Sequence, residues 1–213
     1  YEQVKQCAAA MRSVGVECGD RVAGFMPNVA QTVVAMLAAT SIGAIWSSCS
    51  PDFGINGVMD RFGQIKPKLL FGCNGYYYNG KTIDSTPTLQ KICDNIDSIE
   101  QLVVVPVIEQ LTDLPAHGKA VLFNDFLITH NTPELVFEQL PFNHPLYIMY
   151  SSGTTGVPKC IVHGAGGTLI QHLKEHQLHV NLKPADKIFF YTTCGWMMWN
   201  WLVSALASEV TLV

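Results

Sequence analysis

Helix-like and strand-like segments alternate along most of the chain, and this rhythm leaves few folds open to it. Apolar residues at helical spacing indicate helices, and short apolar runs bounded by turn residues indicate buried strands. The pattern predicts helices at residues 1–14, 28–42, 53–65, 86–96, 166–180 and 197–206, and strands at 21–26, 44–46, 68–71, 101–105, 146–150, 160–163, 187–192 and 209–213. Such alternation is typical of an α/β fold in which helices flank mainly parallel sheets.

The rhythm is lost between residues 106 and 145, where five prolines interrupt the pattern. We expect a meandering connection there, and a subdomain break near residue 140 remains an alternative. Asn28 stands just before an apolar helix pattern, so it is predicted to cap that helix.

Composition excludes several classes of protein. Apolar residues make up 48% of the chain and charged residues 14%, which indicates a large buried interior rather than disorder. A formal net charge of -4 gives no reason to expect a nucleic-acid partner. The seven cysteines are scattered without a C-x-x-C pair, which favours reduced thiols and the cytosol.

No apolar run reaches the roughly 18 residues of a membrane span, and no basic and apolar leader opens the chain. The first residue is Tyr1, and the sequence stops inside a strand-like run at residues 210–213. We therefore expect an internal piece of a longer protein.

One hydroxyl-rich stretch suggests chemistry. It reads Tyr150-Ser151-Ser152-Gly153-Thr154-Thr155-Gly156-Val157-Pro158-Lys159 and follows an apolar run that indicates a buried strand. Two glycines permit sharp bends and close backbone approach, four hydroxyls add donors, and the lysine adds a cation. These properties suit phosphate oxygens, although the spacing is not that of a Walker loop. The alternative is an ordinary flexible surface turn.

Together with His163, this stretch resembles the phosphate loop of the acyl-adenylate-forming enzymes. The runs Trp46-Ser47-Ser48-Cys49-Ser50-Pro51-Asp52-Phe53-Gly54 and Gly195-Trp196-Met197-Met198-Trp199-Asn200-Trp201 are similar to members that make short acyl-CoA thioesters. The resemblance implies that residues 1–213 are part of the large N-terminal adenylation domain. It implies contacts to the ATP phosphates from Ser151, Ser152, Gly153, Thr154, Thr155, Gly156 and Lys159, with Thr154, Thr155 and Lys159 acting in the chemical step.

The same resemblance implies the substrates. A carboxylate, with acetoacetate as the expected acid, would react with ATP and Mg²⁺ to give an acyl-adenylate, and CoA would then take the acyl group. Trp196, Met197 and Met198 would line the acyl pocket, and Ser48, Cys49, Ser50 and Lys81 would contact CoA. Relatives can carry arginines near residues 78–81, where this chain has a single charged residue, Lys81. The adenine and ribose elements and the catalytic lysine of the C-terminal domain are expected outside this sequence, so the chain alone should not complete the reaction.

Three alternatives stay open. The parent protein could instead activate acetate or propionate, or the chain could be a non-catalytic nucleotide-binding remnant. The run His172-Leu173-Lys174-Glu175-His176 also matches the H-x-x-E-H pattern of a class of zinc proteases. A third ligand is not recognisable and His176 shares a face with apolar residues, so the sequence favours packed histidines and no protein metal site is predicted.

Overall fold

The structure is a computed structural model that describes residues 1–110, 113–116, 118–151 and 156–213. Its α-helices are α1 (Glu2–Ser13), α2 (Ala30–Ser41), α3 (Ile55–Ile65), α4 (Thr86–Asn95), α5 (Phe123–Phe126), α6 (Ala165–Lys174) and α7 (Met197–Ser204). A π-helical turn (Glu175–His179) continues α6, and a 3-10 turn (Ala205–Ser208) continues α7.

The strands are β1 (Arg21–Phe25), β2 (Ile45–Cys49), β3 (Leu69–Cys73), β4 (Gly75–Tyr78), β5 (Lys81–Asp84), β6 (Gln101–Val105), β7 (Ala120–Leu122), β8 (Pro145–Tyr150), β9 (Cys160–Gly164), β10 (Lys187–Ile188) and β11 (Thr211–Leu212). Within the described residues, seven of them form one sheet in the order β7-β6-β3-β1-β2-β8-β9. Strand β9 runs antiparallel to β8, and every other neighbouring pair in this sheet is parallel. The predicted α/β class with mainly parallel pairing is therefore confirmed.

Two apolar layers cover the faces of this sheet because side chains alternate along each strand. Phe71 and Val103 point into the layer formed with α1, α2, α5 and α7, whereas Leu70 and Leu102 point into the layer formed with α3 and α4. Strands β3 and β6, which carry these residues, are mostly apolar along their length, as expected for parallel strands that are buried on both faces.

Strand β2 is longer than predicted and includes Ser47, Ser48 and Cys49, which are buried on the sheet. The predicted strand at 187–192 shrinks to Lys187–Ile188, because its partner β11 offers only two paired residues. The connection at 106–145 contains the short elements β7 and α5.

The predicted capping role of Asn28 is wrong. Helix α2 begins at Ala30 with Val29 in the N-cap position, where no side chain caps it. The Asn28 amide oxygen instead accepts a 2.8 Å hydrogen bond from the indole of Trp199, a residue on α7. A contact across 171 positions overrides a local capping preference.

A two-stranded hairpin, β4 and β5, was not predicted from the sequence. Its turn residues Asn79 and Gly80 have φ angles of 48° and 72°, the left-handed pair that defines a type I′ turn. Among the described residues, every helix is too short or too polar to cross a bilayer.

Candidate functional site

The carboxyl ends of β1, β2, β3, β6 and β8 meet at one edge of the sheet, because these strands are parallel. We call it the carboxyl edge. Open α/β sheets bind ligands beyond this edge. The segments that leave it include the residues after β2 and the hydroxyl-rich stretch after β8, which is called the hydroxyl loop (residues 150–159) below.

The neck of the hydroxyl loop is closed by backbone pairing. Tyr150 lies opposite Cys160 in the antiparallel β8–β9 ladder. One step further out, the Ser151 amide donates to the Lys159 carbonyl at 3.0 Å, and the Lys159 amide donates to the Ser151 hydroxyl at 3.1 Å. The predicted residues Ser152, Gly153, Thr154 and Thr155 lie outside the described residues. The two strands thus hold Lys159 and Ser151 at a fixed separation at the base of the loop.

Lys159 and Gly156 are exposed at the carboxyl edge. Within the described ranges, Lys159 makes no ion pair, so its charge is available to an anion from solution. Gly156 has a φ of +114°, a backbone conformation that side-chain-bearing residues rarely adopt. The described part of the loop therefore has the exposure and the cation that phosphate binding requires.

Helix α3 contacts both stems of the loop. The Arg61 guanidinium lies 5.6 Å from the centre of the Tyr150 ring and 4.8 Å from that of Phe53. Three residues further along the same helix, the Gln64 amide donates to the Pro158 carbonyl at 2.9 Å. The Tyr150 and Ser47 hydroxyls are 2.9 Å apart, and burial raises the pKa of Tyr150, so its phenol stays neutral. Neither Arg61 nor Gln64 was among the site residues predicted from the sequence.

A groove of about 380 Å³ lies beside the N-terminus of α7. Trp196 and Met198, two of the three predicted acyl-pocket residues, line it together with Phe190, Tyr191, Thr192 and Thr193. Met197 is exposed and is not among the residues that line this groove. The aromatic wall at 190–191 was not predicted as a site, because the apolar run there indicated a strand.

Three hydrogen bonds fix α7 and the segment before it at the carboxyl edge. Trp199 donates to Asn28, the Asn200 amide donates to the Met149 sulfur at 3.2 Å, and the Ser48 hydroxyl donates to the Cys194 carbonyl at 2.7 Å. These hydrogen bonds therefore connect α7, which borders the groove, to the end of β2 and to β8, the strand that leads into the hydroxyl loop.

The predicted CoA residues fall into two groups. Ser48, Cys49 and Ser50 are at most 7% exposed, and burial raises the pKa of the Cys49 thiol to about 12. Their side chains reach little of the surface, so the geometry lends no support to direct contacts and their CoA role stays a prediction.

Lys81 is the other predicted CoA contact. It is exposed at the β4–β5 turn, beside the exposed rings of Tyr77 and Tyr78. In the same hairpin, burial and then the Asp52 carboxylate raise the pKa of Tyr76.

The histidines of the H-x-x-E-H run have other partners. The His172 Nδ1 atom lies 2.7 Å from the Ser204 hydroxyl, and a Glu175 oxygen accepts from the Trp201 indole at 2.8 Å. The His176 ring is fully buried, with its centre 4.5 Å from that of Trp201. Among the described residues, no cluster of three or more His, Cys, Asp or Glu side chains could hold a metal ion.

His163 lies on β9, just beyond the hydroxyl loop. Its ring stacks on Tyr147 of β8 at 5.7 Å, and burial lowers its pKa.

An exposed lysine and an exposed glycine at the carboxyl edge of a mainly parallel sheet form an arrangement suited to nucleotide phosphates. Over residues 1–213 the chain matches the family described as AMP-binding enzyme, and it belongs to that family.

Several curated relatives resemble this chain along all or nearly all of its length. The chain is 54% identical over 217 residues to acetoacetyl-CoA synthetase of Mus musculus, which covers all of this chain and 32% of the relative. It is 53% identical to acetoacetyl-coenzyme A synthetase of Rhizobium meliloti, covering 98% of this chain and 32% of the relative. Malonamoyl-CoA synthetase of Penicillium aethiopicum is 47% identical over the whole chain and 30% of its own length. The chain thus spans about a third of the length of the curated relatives it matches.

A solved structure, acetoacetyl-CoA synthetase from Streptomyces lividans, superposes with a TM-score of 0.92. It is 44% identical and covers all of this chain and 32% of its own.

Proposed function

We propose that the protein containing this chain is an acid–thiol ligase that activates acetoacetate with ATP and transfers the acyl group to CoA. The observation that carries this proposal is the described base of the hydroxyl loop, where the exposed Lys159 pairs with Ser151 at the carboxyl edge and β8 leads to the groove at α7. The identity to acetoacetyl-CoA synthetases supports the reaction class.

In this proposal, Lys159 and the donors of Ser152, Gly153, Thr154, Thr155 and Gly156 bind the β and γ phosphates of ATP. Their contribution is electrostatic, because they neutralise the charge that develops on departing pyrophosphate. The Ser151 hydroxyl already accepts from the Lys159 amide, so we assign Ser151 mainly to the neck of the loop. Mg²⁺ would accompany the ATP phosphates. The described residues offer no carboxylate cluster for it, and we assign it no protein ligand.

The groove lined by Trp196 and Met198 is proposed to bind the acyl chain. Its aromatic and thioether walls suit the apolar part of a short acid. Lys81 is proposed to contact a CoA phosphate, and the segment 48–50 to pass near the pantetheine arm. A cytosolic location fits the cysteines, because all seven are free.

The decisive test of activation is ATP–pyrophosphate exchange by the full-length protein in the presence of acetoacetate. Lys159→Ala should lower the exchange rate by about 10²–10³, the usual effect of losing one preorganised electrostatic contact in a transition state. Lys119→Ala is the matched control, because Lys119 is an exposed lysine next to β7 at the far end of the sheet. Equal rates for the two variants would remove Lys159 from the mechanism. Failure of the wild type to exchange would favour the non-catalytic alternative.

Acid preference is tested separately with the same protein. We expect the largest kcat/KM with acetoacetate, compared with acetate, propionate and malonamate. A larger value for acetate or propionate would assign the protein to those ligases, and a larger value for malonamate would group it with the fungal relative.

A further inference from the structure

Arg61, in the middle of helix α3, makes no ion pair among the described residues. Its guanidinium turns back toward the start of the helix and donates to the Gly57 carbonyl at 2.7 Å. Gly57 lies in the first turn of α3, where the helix dipole disfavours a positive charge, and that turn contains no acidic residue. The stability of the helix therefore does not account for a cation in this place.

Two aromatic rings take the place of a carboxylate partner. The Arg61 guanidinium lies over the rings of Phe53 and Tyr150, 4.8 Å and 5.6 Å from their centres. Both distances are within the roughly 6 Å at which the face of an aromatic ring attracts a cation. Phe53 follows β2 in the chain and Tyr150 ends β8, so Arg61 contacts two segments that leave the carboxyl edge separately.

Each of these rings borders one of the two proposed substrate sites. Tyr150 is the first residue of the hydroxyl loop. Phe53 packs beside Gly195, since a Cβ added to Gly195 would lie 3.4 Å from the Phe53 ring. Gly195 directly precedes Trp196, which lines the groove at α7. The two ring contacts of Arg61 therefore lead to the hydroxyl loop on one side and to the groove on the other.

We propose that Arg61 is a positioning residue that aligns the hydroxyl loop with the groove, so that ATP and the acid are held in the geometry of adenylate formation. This inference rests on the function proposed above. Arg61 acts through the rings of Tyr150 and Phe53 and contacts neither substrate. A small misalignment of two bound reactants slows their reaction more than it weakens the binding of either one, so the loss of Arg61 should lower kcat.

ATP–pyrophosphate exchange by the full-length protein, with saturating ATP and acetoacetate, tests this role. Arg61→Met should lower the rate by about tenfold, because it keeps an unbranched apolar side chain but loses the cation that both rings attract. Arg61→Lys keeps the cation and should have an intermediate rate. The KM values for ATP and acetoacetate should each change by less than about threefold. The control is Arg12→Met, at an exposed arginine of α1, which should exchange at the wild-type rate.

A double-mutant cycle with Phe53→Leu shows whether Arg61 acts through the ring. If it does, Arg61→Met should cost clearly less activity in the Phe53→Leu background than in the wild type.

Equal losses in both backgrounds would overturn the positioning role, as would a wild-type rate for Arg61→Met or an Arg61→Lys rate as low as that of Arg61→Met. A rise of about tenfold in KM for one substrate with unchanged kcat would make Arg61 a substrate contact and would also overturn it. All of these results leave the proposed function in place, whereas an inactive wild type would overturn both.

Discussion

Gly156 occupies a φ of +114°, and the strain that any side chain would meet there can be measured. Gly156→Ala should add about 1–3 kcal/mol of backbone strain at the base of the hydroxyl loop. If the strain is relieved by moving the loop, the ATP–pyrophosphate exchange rate should fall by about tenfold, at 1.36 kcal/mol per factor of ten.

Gly167→Ala is the control for this change. Gly167 lies in the first turn of α6, where an added Cβ meets no described atom within 4 Å and φ is not positive. This variant should keep its exchange rate and gain up to about 1 kcal/mol of stability, the helix propensity of Ala over Gly. Equal rates for both variants would mean that the backbone of Gly156 does not shape the site.

His172 should make stability depend on pH. Burial first, and then the neighbouring His176, lower its pKa to about 4, compared with 6.5 for the free side chain. Between these values the unfolded chain binds a proton that the folded protein does not. The free energy of unfolding should therefore fall as the pH drops from about 6.5 to about 4, by about 2–3 kcal/mol at most, and stay level above that window.

Denaturant titrations of the wild type and of His172→Gln, from about pH 7 to about pH 4.5, would measure this effect. The variant should lose part of the pH dependence, whereas His179→Gln, at an exposed position of the π-helical turn, should retain it. Identical pH profiles for wild type and His172→Gln would contradict the assignment.

At the residue level, the sequence predicted which side chains form the hydroxyl loop, but it did not predict the long-range partners of individual side chains. The exposed lysine and the positive-φ glycine of the hydroxyl loop follow from the motif itself. Asn28 looked like a helix cap because only its neighbours could be considered, and its true partner is 171 positions away. The spacing of His172 and His176 indicated a shared helix face, but it could not show that Ser204 and Trp201 pack against that face.

At the level of the elements, helix α3 contacts the hydroxyl loop through Gln64, and the sequence of the helix does not predict this contact. Gln64→Ala removes the hydrogen bond to the Pro158 carbonyl, which should cost about 0.5–1.5 kcal/mol of loop positioning. We expect KM for ATP to rise by about threefold to tenfold with kcat nearly unchanged, because the bond orders the loop and does not touch the reacting atoms. The control is Gln3→Ala, at an exposed glutamine of α1. An unchanged KM for ATP in Gln64→Ala would show that the contact does not order the loop.

Short strands were the elements that were hardest to predict from the sequence. The β4–β5 hairpin carries Asn79-Gly80, a strong hairpin signal, but its strands have four residues each and no clear alternation of apolar and polar residues. The opposite error occurred at 187–192, where an apolar run of strand length forms only two paired residues and otherwise provides a groove wall. The aromatic residues of this run, Phe189, Phe190 and Tyr191, remain exposed, so an apolar run of strand length does not by itself predict a buried strand.

At the scale of the whole molecule, the two edges of the sheet should respond differently to ATP. Cys160 is half-buried at the carboxyl edge next to Lys159, with its sulfur 3.6 Å from the Gln64 oxygen, whereas the Cys18 thiol lies next to Gly43, before β2, at the opposite edge. Burial raises the pKa of Cys160, so its alkylation should be slow, and saturating ATP should slow it severalfold further. Alkylation of Cys18 should not change.

Rates of N-ethylmaleimide modification, followed by peptide mass spectrometry of the full-length protein, would measure both sites in one sample. Equal protection of Cys18 and Cys160 would indicate a global effect rather than binding at the carboxyl edge. No protection of Cys160 would argue against a nucleotide at the base of the loop.

The alternation of helices and strands was sufficient to predict the α/β class, because each crossover from one parallel strand to the next requires a helix or a long connection. The order of the strands was not predictable. Strand β8 pairs with β2 across a long, proline-rich connection, and nothing local to either strand encodes that choice. The subdomain break near residue 140 stays a prediction.

The pairing of β8 with β2 has a consequence for synthesis on the ribosome. The Ser47 hydroxyl bonds the Ile148 carbonyl, and 101 positions separate the two residues. At translation rates of about 5–20 residues per second, the outer edge of β2 waits about 5–20 s for its neighbour. The unpaired backbone groups of such an edge can pair with other nascent chains, so we expect the polypeptide to depend most on a chaperone during this interval.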